Sequence, residues 1–492
     1  MTITFTEIVD SEFPDVQFEI NIRGGVDLPN MQALKDVWIV AERVAAGTSV
    51  ANEVRSTAFG SESEALAWFG ATSSGAHMAS YVYNFLGSIG APKSKVWGIA
   101  LAESAGVAAT GTFTITNNAT AAGTMKIEVG GHEVAIGVAA GDTPTVMGDE
   151  VVRVWNALPH YGKCPVVPVN AAGTITWTAT GKGAHYNSIA TVVTQDPGVT
   201  TTFVWTAATL VNGTLYPLIT TALTAAAAAP TALMVCPWGE DVAAAPAGTI
   251  ESLITHINVK AAAGSEIPSK LICAYDDATL ANIVTAADNY DDDDGQRILM
   301  VGTRSSPVWN GEIAATMAAC DAAEPHVARS LDHGTMPDMK PVTTANNWTK
   351  SEMDTLLVGG VTPLYVSGGL VKVARAVSIR TAYGVMDWAI MTALDYWRSY
   401  LSAGISAACD RMSIIEAANI KTTALHVTTP EKVVSLAYKY SKDVEAEGVI
   451  QDVDTYWESM TWSLTGDTLQ MQIPGAMLQQ WHKTQARLDA EV

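Results

Sequence analysis

Polar and apolar positions alternate strictly near both ends of the chain. Val16, Phe18, Ile20 and Ile22 are apolar, with Gln17, Glu19, Asn21 and Arg23 interleaved; at the other end Ala486, Leu488, Ala490 and Val492 alternate with Arg487, Asp489 and Glu491. A period of two places every apolar side chain of a segment on one face, so both segments read as strands. Ile3, Phe5, Ile8 and Val9 give a further β-like stretch, followed by the turn-prone Asp10-Ser11 and Pro14. Strand backbone needs partners for its N–H and C=O groups. The two termini therefore read as arms that need a sheet to join.

Between the arms the period changes several times. Residues 26 to 100 are helical and mixed, with Ala65–Phe69 and Tyr81–Leu86 as helix candidates and Lys95–Leu101 as a buried strand. Near Gly106 the sequence turns to Gly, Thr and Ala with short strands. Met125–Val129 and His132–Ile136 flank Gly130-Gly131, whose freedom at positive φ suits a two-residue hairpin turn. That register sets Ile127 opposite Val134 and Met125 opposite Ile136 on one apolar face. Asp142-Thr143-Pro144 supplies a cap and a first-turn proline, after which Met147, Val151, Val154, Trp155 and Leu158 recur at helical spacing. Strands at Cys164–Val169 and Thr174–Thr178 complete a β-rich module, expected to be an independently folded, outward-facing insertion whose removal leaves assembly possible.

From Thr231 strands and helices alternate: Ala232–Cys236, Ile250–Val259, Lys270–Tyr275, Ala278–Ala287, Arg297–Val301 and Ile313–Ala323. Such an order predicts parallel strands crossed by helices. A hairpin of Pro363–Val366 and Leu370–Ile379 through Ser367-Gly368-Gly369 follows. A long helix then carries Met386, Ile390, Leu394, Trp397 and Leu401 on one face, and a shorter one begins at Thr429-Pro430-Glu431. Strands are expected at Asp452–Trp462 and Thr468–Ile473, and a helical segment at Pro474–Gln485. The fold class is α/β (α+β) and multidomain: an N-terminal arm and strand (1–25), the first part of an α/β core (26–104), an inserted β-rich domain (105–200), the second part of the α/β domain (201–385), and a C-terminal domain ending in an arm (386–492).

Composition narrows what such a chain does. Its 492 residues carry 28 Lys and Arg against 50 Asp and Glu, a net charge of −22, which argues against nucleic-acid binding. With 48% hydrophobic and 16% charged residues it has ample material for buried cores, though only 7% aromatics suggests a core that is shallow and divided. Cys164, Cys236, Cys273, Cys320 and Cys409 are odd in number and widely spaced, as expected of a protein folded in a reducing cytosol. The N-terminus lacks the basic start and apolar core of a secretory signal, and the Ala-rich run Ala222–Trp238 is broken by Pro230 and Pro237, so neither export by that route nor membrane insertion is expected.

Candidate chemistry is sparse. Ala102-Glu103-Ser104-Ala105-Gly106 follows a strand and approaches a nucleophile elbow, but that motif needs a helix directly after the serine and here a strand follows. Asp288–Gly295 resembles a calcium loop; aligned on Gly295 it has Tyr290 at the first ligand position and Val301 at the bidentate one, and it reads better as a solvated acidic loop. His326 and His333, with Glu324 and Asp332, do not have the spacing of a helical metal pair. No phosphate-binding glycine loop precedes a helix. The residues assign no catalytic, cofactor or metal site and favour a structural or binding role.

The order of several short motifs resembles the tail sheath proteins of contractile-tailed bacteriophages, in the branch typified by phage Mu. They are Val40–Thr48, Ala58–Leu66, Lys95–Ala102, Ala108–Ile115, Gly359–Leu364, Gly369–Val377, Val427–Pro430, Glu447–Ile450, Asp452–Asp454 and Thr468–Pro474, spread over about nine tenths of the chain. The resemblance implies a sheath-type core and no cofactor. It implies a homo-oligomer of stacked rings forming a helical sheath around an inner tail tube protein, with baseplate and tail terminator proteins at its ends. The sheath would be built in the bacterial host cytoplasm and contract in the virion tail to drive the tube through the host envelope for genome ejection. It further implies that terminal arms add strands to neighbouring subunits, which nominates Ile3, Phe5, Leu488, Ala490 and Val492 for inter-subunit strand exchange. Another self-assembling shell or surface-layer protein, and less readily an α/β hydrolase using Ser104, are the alternatives.

Overall fold

The computed structural model describes residues 35–88, 94–196, 199, 203–239, 249–262, 267–290, 296–324, 327–379, 386–409, 412–414, 427–465 and 468–475. Its first elements are β1 (Val37–Glu42), β2 (Glu53–Val54), α1 (Glu62–Phe69), α2 (Ser74–Ser88) and β3 (Val96–Leu101). β1 and β3 pair in parallel along their full length, from Val37 opposite Val96 to Glu42 opposite Leu101. All six residues of β1 are buried, because its two faces lie in two different apolar layers. Val37, Ile39 and Ala41 face the helices α1 and α2, whereas Trp38 and Val40 face the opposite layer. A strand covered on both faces shows no alternation, and this central strand is missing from the elements predicted above for that reason.

The chain next builds β4 (Thr110–Ile115), β5 (Gly123–Val129), β6 (His132–Val138), α3 (Pro144–Ala157), β7 (Val166–Ala171), β8 (Thr174–Ala179), β9 (Thr191–Gln195) and β10 (Phe203–Trp205). They form two antiparallel sheets, in the orders β10-β4-β8-β7 and β6-β5-β9. The predicted hairpin is β5 with β6, in the expected register of Ile127 with Val134 and Met125 with Ile136. Gly130 and Gly131 turn it with φ of 59° and 86°. The predicted helix is α3, capped by the Thr143 hydroxyl on the Val146 N–H, with Met147, Val151 and Trp155 buried against β6, β7 and β8.

The buried residues of this segment join those of the sheet. Phe113, Met125, Trp155 and Trp177 belong to the same continuous buried cluster as Val37, Trp68, Phe69, Ile313 and Met317. Several polar contacts also cross the join, among them Tyr81 donating to the Lys163 carbonyl at 2.7 Å and an ion pair of Lys340 with Glu128. Tyr186 donates to Glu42 at the end of β1 at 2.9 Å, and His132 lies between Tyr81 Oη at 3.0 Å and Glu312 Oε2 at 2.8 Å.

The chain returns through α4 (Thr220–Ala225), β11 (Leu233–Val235), α5 (Thr249–Ala261), β12 (Lys270–Asp276), α6 (Leu280–Asp288), β13 (Ile298–Thr303), α7 (Asn310–Ala323), β14 (Thr335–Met336), α8 (Lys350–Val358), β15 (Val361–Ser367) and β16 (Leu370–Val373). The alternation predicted from residue 231 gives the expected parallel pairings β11 with β12, β12 with β13, and β13 with β15. β11 also pairs in parallel with β1, so the sheet order is β14-β16-β15-β13-β12-β11-β1-β3-β2. Its outermost strands, β14 and β2, are antiparallel two-residue pieces. The predicted hairpin strand ends at Val373 instead of Ile379. Beyond it the Thr362 hydroxyl accepts from the Val377 N–H at 3.0 Å and donates to the Val377 carbonyl at 3.1 Å, bending the chain back along β15.

The last elements are α9 (Trp388–Cys409), the short parallel pair β17 (Ser413–Ile414) and β18 (Val427–Thr428), α10 (Pro430–Ala446), α11 (Val453–Trp457), β19 (Thr461–Thr465) and β20 (Thr468–Gln472). Ile390, Leu394, Trp397 and Leu401 of α9 pack in a third apolar cluster with Val433, Ala437 and Val444 of α10, as the spacing predicts, while Met386, expected on the same helix face, joins that cluster from just before α9. Asp452–Trp462, expected as one strand, is instead the helical turn α11 followed by β19. Glu445 accepts from the Val453 N–H at 2.9 Å, starting the turn, and Val453, Tyr456 and Trp457 fall at helical spacing. The core is thus divided as expected, but six tryptophans, Trp38, Trp155, Trp177, Trp238, Trp309 and Trp388, are fully buried within it.

Candidate assembly surface

β19 and β20 form a two-stranded antiparallel sheet of their own, registered from Thr461 opposite Gln472 to Thr465 opposite Thr468. Opposed residues share a face, so Trp462, Leu464, Leu469 and Met471 form an apolar side and Thr461, Ser463, Gln470 and Gln472 a polar one. Leu469, Met471 and the following Ile473 rest on the cluster beneath α9 and α10, while Trp462 is 40% exposed. Among the described residues neither outer edge has a partner strand. A two-stranded sheet is marginal alone and presents unpaired N–H and C=O groups on both sides. The nine-stranded sheet, by contrast, is blunted at each edge by a two-residue strand.

The hairpin is held by the element before it. Asp454 in α11 receives the Tyr438 hydroxyl and the Lys442 ammonium, the latter at 3.1 Å, both from α10. The Tyr438 hydrogen bond first, and Lys442 second, hold the Asp454 carboxyl below its ordinary range; the same contact raises Tyr438. After β20 the chain passes hard against α9. A Cβ on Gly475 would lie 2.4 Å from the Trp397 ring, so this close approach requires glycine and fixes where the chain leaves the hairpin.

The residues nominated for strand exchange, Ile3, Phe5, Leu488, Ala490 and Val492, lie outside the described residues, as do the alternating segments 16–22 and 486–492 and the predicted helical segment from 476 onward. Ser104 is buried, and its hydroxyl accepts from the Gly106 N–H at 3.1 Å. Glu42 and His185 lie nearby, with Glu42 Oε1 accepting from the Ser104 N–H at 2.8 Å and Oε2 3.5 Å from His185 Nε2. These residues match a hydrolase triad in type but not in arrangement: the Ser104 hydroxyl is turned to backbone, no helix follows it, and all three residues are 1–3% exposed. His333 meets the Tyr365 hydroxyl at 3.1 Å, Asp332 accepts from the Ala376 N–H, and Glu324 pairs with Arg329 at 3.5 Å; His326 lies outside the described residues. Among the described residues no three metal-binding side chains converge, and no helix is long and apolar enough to cross a membrane. Asp288–Tyr290 end α6, and the rest of the acidic loop, 291–295, is outside the described residues. The unpaired edges of this hairpin are not legible in the sequence, although the alternation of Trp462, Leu464, Leu469 and Met471 around Gly466-Asp467 signals the hairpin itself.

No protein-family profile matches the chain. Over nearly its whole length, however, it is similar to a tail sheath protein, in agreement with the resemblance read from its motifs. That relative is the Mu-like prophage FluMu tail sheath protein of Haemophilus influenzae, 24% identical over 477 residues that cover 94% of this chain and 93% of the relative. Among solved structures, the sheath tail protein of Desulfitobacterium hafniense matches with a TM-score of 0.49 at 11% identity, covering 94% of this chain and 96% of that one. The sheath tail protein Lin1278 of Listeria innocua gives 0.48 at 13%, covering 93% and 94%.

Proposed function

We propose that this chain is the subunit of a contractile phage tail sheath, polymerising around an inner tail tube and contracting to drive that tube through the host envelope. The observation that carries the reading is the end-to-end similarity to a tail sheath protein. The hairpin β19–β20 supplies the physical means. A donated strand with alternate apolar residues, from Leu488, Ala490 and Val492 or from Ile3 and Phe5, extends its ladder and continues the apolar side formed by Trp462, Leu464, Leu469 and Met471. Backbone hydrogen bonds then supply affinity and the alternate side chains supply register. Because each arm enters a different subunit, the contact is heterologous and propagates as an open helix.

In this reading contraction moves subunits as nearly rigid bodies out of a kinetically trapped extended state, with the paired arms as tethers. No cofactor or nucleotide takes part. The baseplate and the tail terminator end the helix, assembly precedes release from the host cytoplasm, and the finished sheath belongs to the virion tail. Negative-stain microscopy of the purified protein tests the assignment. Hollow tubes of uniform width are expected; flat lattices would indicate a surface-layer protein, and dispersed particles at every concentration would contradict polymerisation.

A further inference from the structure

The C-terminal helices meet the nine-stranded sheet at the amino-terminal ends of its strands, and the contact there is ionic. Lys35 precedes β1, Lys270 opens β12 and Arg297 precedes β13, so three cations stand in a row along one edge of the sheet. Each is at most 7% exposed. Asp321, in the last turn of α7, lies 2.9 Å from Lys35 Nζ and 3.4 Å from Lys270 Nζ, and accepts the Trp388 indole N–H at 2.8 Å. Lys270 also donates to Thr392 and stands 4.4 Å above the Trp388 ring. Arg297 makes a two-pronged contact with Asp395, at 2.7 and 2.9 Å. Arg398 reaches Asp395 at 3.4 Å and the Ala261 carbonyl at 2.6 Å.

By helical position Trp388, Thr392 and Asp395 share one side of α9, Leu394, Trp397 and Leu401 another, with Arg398 and Met391 on the boundary between them. The helix therefore has two buried faces of opposite chemistry. Its apolar face belongs to the C-terminal cluster with α10, and its polar face belongs to the sheet. Apolar contacts are non-directional, and helices packed through them tolerate sliding. A bidentate guanidinium–carboxylate pair with no water to replace it has one geometry.

We propose that α9 is a coupling joint, in which the buried ionic layer fixes the position of the C-terminal unit on the sheet edge so that the two move as one body. The proposal concerns the single subunit and holds whether or not that subunit builds a sheath.

Hydrogen–deuterium exchange and calorimetry on the unassembled full-length chain test it. Replacing the triad by apolar residues of similar volume, Arg297→Met, Asp395→Leu and Arg398→Met together, should keep the melting temperature within a few degrees, since such replacements often preserve stability. The α9 amides of residues 388–398 should nonetheless exchange at least tenfold faster, with β1, β12 and β13 unchanged. Exchange at the wild-type rate in α9 would overturn the proposal, because packing alone would then hold the joint. In Asp395→Ala the single melting transition of the wild type should split in two, with α9 to β20 melting first; one transition lowered as a whole would also overturn it. Should that variant prove insoluble, the triple variant decides.

Discussion

The sheet is joined to the 105–200 segment and to the C-terminal helices by different balances of apolar and ionic contact. At the first join one buried apolar cluster includes residues of both sides, Val37 and Phe69 with Phe113 and Trp177, and polar contacts from Tyr186, His132, His160 and Lys163 cross it. The second carries a layer of paired charges, with Trp388 of α9 buried in the sheet's cluster and Val327 and Ala328 buried in the cluster around α9 and α10. A shared core makes two segments one cooperative unit, because neither buries its apolar surface without the other. An ionic layer between two cores leaves each core intact and makes their relative position the thing specified. The inserted segment thus shares its buried cluster with the sheet, whereas most of the C-terminal helices' apolar residues lie in another cluster, next to the open hairpin.

Excising residues 105–200 through a Gly/Ser linker should have the largest effect. The sequence pattern alone suggests a dispensable module, but the cut removes a large part of a continuous core and strands Glu42 and Glu312 without Tyr186 and His132. Expression of the deletion should give insoluble or unfolded chain; soluble protein with the parent's far-UV circular dichroism would show the two cores to be independent after all. A milder probe is Trp177→Ala, which removes a fully buried indole packed edge-on against Trp155 at 4.9 Å. It should cost about 3–5 kcal/mol. Denaturant unfolding should remain a single transition that includes the parallel sheet, where Asp395→Ala is expected to give two.

Acid should attack the first join selectively. His77 in α2 faces the His160 carbonyl of the inserted segment at 3.1 Å, with the rings 5.6 Å apart. Burial, which outweighs that hydrogen bond, lowers its pKa to about 3. The unfolded chain takes up this proton below the ordinary value of 6.5 while the folded one stays neutral down to about 3. The stability that neutral burial preserves is therefore complete above that upper value and lost progressively as pH falls toward the lower one, on the order of 5 kcal/mol in total. His77→Gln should flatten the slope of stability against pH across this window, and an unchanged slope would show that other groups carry it. The smallest effect on the monomer is expected for Trp462→Ala in the exposed hairpin, with melting of the unassembled protein changed by no more than about 0.5 kcal/mol. Tube formation should nonetheless weaken, measured as a higher concentration for half-maximal pelleting.

What the sequence revealed follows the reach of each interaction. The β5–β6 hairpin was legible to its register because Gly130-Gly131, the flanking alternation and the pairing all lie close together along the chain. The βα alternation after residue 231 was legible because strand and helix periods differ. β1 was not, since Val37–Val40 are buried on both faces and a short unbroken apolar run shows no period. Nor was the ionic layer. Lys35 and Asp321 are 286 residues apart and Arg297 and Asp395 are 98 apart, and a charge beside a strand looks the same whether water or a partner awaits it. α11 was misread although Val453, Tyr456, Trp457 and Met460 recur at helical spacing, because the helix is only five residues long and the Glu445 contact at its start comes from another helix. The arms themselves are legible only as alternation; the hairpin proposed to receive them shows its two free edges once the pairings are known.

Assembly of arm-truncated protein decides whether the termini are exchanged between subunits. Chains lacking residues 484–492, or residues 1–9, should be compared with full-length protein by melting in the unassembled state and by negative-stain microscopy under polymerising conditions. A donated strand contributes several backbone hydrogen bonds at about 1 kcal/mol each to the contact between subunits and little to its own subunit. Each truncated chain should therefore melt like unassembled full-length protein and form no tubes. Normal tubes from both truncations would contradict arm exchange, and loss of the monomer fold in both would make these segments strands of the subunit's own sheet.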